Sequence, residues 1–430
     1  MSKFVLPNGF KTAGVACGIK KDGKKDLALI VSEPASEAAG VFTRNIVKGH
    51  SLKWTMNIIR NNMIKAVVIN SGNANACVGP RGDSDAERIA EAAAKLAGCD
   101  KNQILLGSTG VIGFPLPIEK IEQGLQDAWS QLCSDSSTDA ASAIMTTDTF
   151  PKEVSVNINL SGKNVTLYGM AKGSGMIHPN MATMIGVFLT DAAVSAEMLQ
   201  QILTETVGKS FNRISVDGDT SVCDMVIVLA NGEAGNRKIT EKNNDYWTFA
   251  DSFEKAAITL SKMLVRDGEG ATKLIEIHVI NAPDSETAHK ISNSIAKSPL
   301  VKTAMFGQDA NWGRILTAAG YSGAEFNPDT VDILIGDLLV CNNGVGLSFD
   351  EEKALEILKK DEIKITVDLK AGNAEDTMWT CDFSYDYVKL TVRTGLNCSP
   401  ALLQYLLPMH FCASKSICQL LNSRLIDKMI

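Results

Sequence analysis

Short runs of β-branched and aliphatic residues alternate along this chain with stretches of helical period, and a chain carrying both must bury sheet faces under helices. Ile64-Lys65-Ala66-Val67-Val68-Ile69-Asn70 is a run of the first kind, ending in the turn-rich Ser71-Gly72-Asn73-Ala74-Asn75. The Ala- and Glu-rich stretch from Asp85 to Leu96 is of the second kind and is closed by Gly98. Asp251 with Glu254 reads as a capping box for a helix whose apolar face is Phe253, Ala256, Ala257, Leu260 and Leu264. Leu274 to Ile280 then reads as a strand, Ser285 to Ala296 as a helix, and Ile363 to Leu369 as a half-exposed strand. The expected fold class is α/β or α+β, layered sheets flanked by helices, and the alternation alone does not choose between the two.

Composition narrows the function classes. With 430 residues, 45% of them hydrophobic, the chain is long enough for more than one core. Its net charge is -7 and its densest basic run, Lys20-Lys21-Asp22-Gly23-Lys24-Lys25, is short, so a nucleic-acid partner is not expected. The beginning, Met1 to Gly9, has no apolar signal core, and no apolar run reaches the roughly 18 residues that a membrane helix needs. A cytoplasmic location without membrane attachment is the expectation. Ten cysteines are scattered singly and five histidines form no i, i+4 pair, so neither a disulfide framework nor a metal site is expected.

The clearest mid-chain loop is Ala171-Lys172-Gly173-Ser174-Gly175-Met176-Ile177-His178-Pro179-Asn180, and Gly- and Pro-rich loops between apolar runs are where chemistry tends to sit. On residue type alone, Thr183 is a β-branched residue opening an apolar strand. Lys172 is either an ordinary exposed lysine or a group that holds a carboxylate. Glu269, in Arg266-Asp267-Gly268-Glu269-Gly270, is a solvated turn carboxylate or the partner of a substrate cation. Thr146 reads better as a helix cap than as a substrate contact. Gly107-Ser108-Thr109-Gly110 reads as a Gly-bracketed turn after Ile104-Leu105-Leu106. Asp217-Gly218-Asp219-Thr220 lacks the alternating carboxylates of a Ca²⁺ loop, with only Asp224 following, and reads as a structural turn.

The segment from Gly169 to Leu189, with its core Lys172-Gly173-Ser174-Gly175-Met176-Ile177 and Pro179-Asn180-Met181-Ala182-Thr183-Met184, resembles the self-cleavage signature of the ornithine acetyltransferase family, the bifunctional glutamate N-acetyltransferases of arginine biosynthesis. The likeness continues in order through Gly9 to Gly14, Ala39 to Asn45, Asn70 to Cys77, Gly107 to Gly113, Met145 to Thr149, Val216 to Thr220, Arg266 to Lys273, and Lys302 through Asn311-Trp312-Gly313-Arg314. It departs at Ser221-Val222-Cys223-Asp224, where relatives usually show Ser-Thr-Asn-Asp.

What the resemblance implies is specific. The chain cuts itself between Ala182 and Thr183, giving an α chain of residues 1–182 and a β chain of 183–430, assembled as a heterotetramer of two each. Freed Thr183 would be nucleophile and base in one residue, since an α-amine of pKa about 8 is partly neutral near pH 7. Thr183 Oγ would take the acetyl group of N-acetylornithine and pass it to glutamate in a ping-pong cycle. Thr109 and Gly110 would form the oxyanion site. Thr146, Lys172, Thr183 and Glu269 would bind substrate. No cofactor is implied, with acetyl-CoA as a possible co-substrate. A self-processing N-terminal-nucleophile aminopeptidase or amidohydrolase, and a non-catalytic relative of the same fold, are the alternative readings.

The likeness fails after Asp386-Tyr387-Val388-Lys389. Relatives place an Asn where this chain has Thr391, with a Ser or Thr five residues further on, and neither Asn397 nor Ser399 fills the missing roles. The atypical apolar tail from about residue 390, including Leu402-Leu403-Gln404-Tyr405-Leu406-Leu407, suggests a reading-frame shift near Lys389.

Overall fold

The computed structural model describes residues 4–60, 63–135, 137–178 and 184–394. Among the described residues, fifteen strands run in chain order: β1 (Phe10–Val15), β2 (Leu27–Phe42), β3 (Ile64–Asn73), β4 (Ile104–Val111), β5 (Lys152–Leu160), β6 (Lys163–Lys172), β7 (Ile185–Thr190), β8 (Ile214–Ser215), β9 (Met225–Ala230), β10 (Leu274–Ala282), β11 (Asp332–Ile335), β12 (Leu338–Asn342), β13 (Val345–Gly346), β14 (Glu362–Asp368) and β15 (Ala374–Cys381).

They form two mixed sheets. The first has the order β4-β3-β2-β9-β7-β6-β5, with β1 paired on β2. Strand β2 is 16 residues long and does two jobs: Leu27–Val31 pairs with β1 and β3, and Glu37–Phe42 pairs with β9. The sheet thereby folds over on itself. Alternation of side chains along each strand then sets the layers. Leu27, Leu29 and Val31 pack outward against the helices Arg81–Ala97 and Ile118–Ser130. Ala28 and Ile30 face inward against Tyr168, Met170, Val187, Leu189, Ile227 and Leu229 of the other half. On that half's outer face, Leu167, Phe188, Val226 and Val228 meet the helices Ala196–Lys209 and Asn244–Arg266. The result is helix, sheet, sheet, helix.

The second sheet has the order β13-β12-β11-β14-β10-β15-β8. Ile275, Ile277 and Val279 of β10 pack under the helices Ser285–Lys297, Pro299–Phe306 and Trp312–Gly320. Leu274, Trp379 and Cys381 join the core around helix Asn244–Arg266. Residues through Asp386 make one compact unit, and from Tyr387 the described residues belong to a second unit, helical to Thr394.

The α/β expectation holds, and most elements fall where the periodicity put them. Gly98 closes the helix Arg81–Ala97 in the left-handed conformation. The apolar face Phe253, Ala256, Ala257, Leu260 and Leu264 is buried. The expected capping box is not there. Helix Asn244–Arg266 begins two turns earlier, where Asn243 caps the Tyr246 N–H, and Asp251 lies inside it, ion-paired with Lys255 one turn on.

Candidate active site

Lys172 ends β6, and its side chain turns under the sheet rather than into solvent. It is 7% exposed. Its Nζ donates to the Thr146 hydroxyl at 2.8 Å and to the Thr109 hydroxyl at 3.3 Å, so three of the expected residues meet at one ammonium. Burial pulls the Lys172 pKa below the ordinary lysine value; Asp148 opposes this and the neighbouring Lys152 adds to it. The exposed-lysine reading of Lys172 is therefore wrong.

Thr146 is no helix cap. The preceding helix, Thr138–Ala143, is already over, and the Thr146 N–H donates to Asp148 Oδ2 at 2.9 Å. Lys20 steadies the same loop by donating from Nζ to the Met145 carbonyl at 2.7 Å.

Thr109 and Gly110 also depart from the residue-type reading, because strand β4 continues through Val111 instead of turning at Gly107. Its register against β3 shifts at Gly72 and Asn73. Gly110 has φ +134°, and a Cβ there would lie 2.3 Å from the Gly72 carbonyl carbon. Only glycine lets the two backbones approach this closely. Behind Thr109, the Ser108 hydroxyl donates to Asn70 Oδ1 at 2.6 Å and lies 2.7 Å from that of Ser51, which fixes this strand end from below.

Glu269 is 9% exposed, not solvated. Its N–H donates to the Ser174 carbonyl at 2.9 Å, and Gly175 leaves room for its carboxyl, which a Cβ at 175 would meet at 2.5 Å. Burial raises its pKa above the usual carboxylate value; Thr147 and Lys172 pull down and Asp217 pushes up. Asp217 itself accepts the Met176 and Ile177 N–H groups at 2.5 and 2.8 Å, as a structural turn carboxylate does.

Ala182 and Thr183 lie outside the described residues. The described chain resumes at Met184, and β7 enters the sheet at Ile185, paired with Lys172 across the β6–β7 ladder.

Residue-type reasoning missed the groups beneath this cluster: Asp148, Lys152, Asp267 and Asp224, all buried. The four-residue spacing of Asp148 and Lys152 was the available signal, though in a helix-free stretch it implies no contact. Asp224, next to the departing Ser221-Val222-Cys223, is pushed well above the carboxylate range by burial, against the opposing pull of Ser221 and Lys172.

Among the described residues, no group of three or more His, Cys, Asp or Glu is placed to hold a metal ion. Nor is any helix there long and apolar enough to cross a membrane.

A buried ammonium bonded to two hydroxyls, with buried carboxylates nearby and an exposed glycine strand end beside it, suits an enzyme that works on small polar molecules. The ArgJ family model matches residues 11–393. The arginine biosynthesis bifunctional protein ArgJ of Caldanaerobacter subterraneus subsp. tengcongensis is 50% identical over 392 residues, covering 90% of this chain and 97% of that protein. The protein of the same name from Thermotoga neapolitana is 47% identical over 394 residues, 90% of this chain and 99% of its own length. A crystal structure of the arginine biosynthesis bifunctional protein ArgJ from Bacillus halodurans is 44% identical, with a TM-score of 0.46, and covers 47% of this chain and 95% of that one. The chain belongs to the ArgJ family. The family match stops at 393, beside the point where the motif likeness fails, and the tail from 395 lies outside the described residues.

Proposed function

We propose that this chain is a self-cleaving acetyltransferase of arginine biosynthesis, which moves the acetyl group of N-acetylornithine to glutamate through an ester on Thr183. One observation carries the reading: the buried Lys172 ammonium, joined to the Thr146 and Thr109 hydroxyls, sits across the ladder from Ile185, two residues after the proposed nucleophile.

The steps balance on this chain's own groups. Thr183 Oγ attacks the Ala182 carbonyl carbon, the amide nitrogen leaves with the hydroxyl proton, and water hydrolyses the resulting ester. Residues 1–182 and 183–430 are then separate chains. The freed α-amine takes the Oγ proton as Oγ attacks the acetyl carbonyl, and returns a proton to departing ornithine. The oxyanion is held at Thr109 and Gly110, a donor site of the kind whose loss costs about 3 kcal/mol. Lys172, with Thr146, holds the substrate carboxylate, and Glu269 holds the ornithine ammonium. Glutamate then enters and its amine takes the acetyl group by the reverse steps.

No resident cofactor is needed, because the acetyl group arrives on the substrate. The proposal extends to acetyl-CoA as a second donor, in keeping with the relatives' description as bifunctional, and to a cytoplasmic assembly of two α and two β chains. The test is ornithine release from N-acetylornithine with glutamate present. The native chain should support it and Thr183→Ala should abolish both transfer and self-cleavage. A native chain without transfer, or an active Thr183→Ala variant, overturns the reading.

A further inference from the structure

We propose that Lys152 is a positioning residue for this transfer, a buried ammonium that ties together the three segments carrying Thr146, Lys172 and Glu269. The proposal rests on the functional reading above.

Lys152 opens β5 with its side chain fully buried, between the carboxylates of Asp148 at 2.7 Å and Asp267 at 2.5 Å. Each carboxylate also grips a different piece of the site. Asp148 accepts the Thr146 N–H at 2.9 Å and, at 2.7 Å, the N–H of Gly173, the residue after Lys172. Asp267 accepts the Thr149 N–H at 3.0 Å and the Thr149 hydroxyl. Its own carbonyl takes the Ser174 hydroxyl at 2.6 Å, and the Ser174 carbonyl takes the Glu269 N–H. One unbroken path of bonds therefore runs from Thr146 through Asp148, Lys152, Asp267 and Ser174 to Glu269.

A buried triad of this kind is weak evidence for stability, since apolar residues of similar volume can replace the whole set without loss, whereas removing one member alone leaves buried charge unpaired. Its value is in holding groups to a geometry, and a displacement of about 1 Å at a reacting centre can cost a hundredfold in rate. Charge adds a second handle. The groups acting on Lys172 are Asp148, Lys152, Lys20, Cys223, Asp224 and Glu269. Removing the like charge of Lys152 leaves Asp148 less opposed, so Lys172 should titrate higher.

The experiment compares native enzyme with Lys152→Met and Thr149→Val, measuring kcat, KM for N-acetylornithine and the pH profile of kcat/KM. In Lys152→Met, KM should rise about tenfold and the alkaline midpoint should move upward. In Thr149→Val, which keeps both ion pairs and an exposed position, KM should rise about threefold. A residue that only supports the fold would lower the amount of active enzyme, and so apparent kcat, leaving KM and midpoint alone. Native values of both in folded Lys152→Met overturn the proposal; so does a native KM in Thr149→Val if Lys152→Met does not fold. A native enzyme without transfer is a different result, which overturns the functional reading and this one with it.

Discussion

The Lys172 ammonium donates to the Thr146 hydroxyl at 2.8 Å, tying the end of β6 to a loop 26 positions earlier. That bond aims the cation; without it the lysine keeps its burial but is held only by the longer bond to the Thr109 hydroxyl at 3.3 Å. Thr146→Val, similar in volume, should cost about 1 kcal/mol of substrate binding, near fivefold in KM, with self-cleavage retained. Steady-state kinetics on the cleaved variant checks this.

Lys172 and Glu269 shift in opposite directions, and both shifts narrow the working pH range. Lys172, lowered by burial, loses its charge as pH rises through a value below that of ordinary lysine. Glu269, raised by burial, loses its charge as pH falls through a value above that of ordinary carboxylates. The kcat/KM profile should fall on the acid side first as the freed Thr183 amine, of pKa about 8, is protonated and lower down through Glu269, and on the alkaline side through Lys172. Glu269→Gln should remove the lower step of the acid limb and leave the step set by the Thr183 amine, and Lys172→Met should flatten the alkaline limb, with activity lowered throughout.

Gly110→Ala puts a Cβ into the Gly72 backbone and strains a φ of +134°. The strand end must move, and with it the proposed oxyanion donors, Thr109 and Gly110. Transfer should fall by about a hundredfold or more while the far-ultraviolet circular dichroism stays native.

Phe253 sits between Phe188, at 4.5 Å between ring centroids, and Phe249, at 6.0 Å, in the core under β6 and β7. Phe253→Ala should cost about 3–5 kcal/mol, read as a lowered denaturation midpoint. The loss should spread to the sheet that carries Lys172.

Periodicity was enough to find the strands and helices because each buries one face: β14 alternates in and out as Ile363, Ile365 and Val367 turn to the core. It was not enough for the helix start at Asn243, since Asp251 and Glu254 imitate a cap in mid-helix. The site was legible only through motif likeness. Nothing in its local sequence shows that Lys172 is buried, that β4 runs through Thr109, or that Lys152 lies between Asp148 and Asp267. Those facts depend on pairings between residues distant in sequence: Thr109 pairs with Ser71 on β3, Lys172 meets Thr109 63 positions away, and Lys152 meets Asp267 115 positions away. Of the site residues, Ala182 and Thr183 alone fall outside the described residues.

The most direct test is the intact mass of the purified protein. Self-cleavage at Thr183 should give two polypeptides, residues 1–182 and 183–430, with a free threonine amine at the start of the second. A single uncleaved chain of 430 residues, under conditions where acetyl transfer is measured, would contradict it.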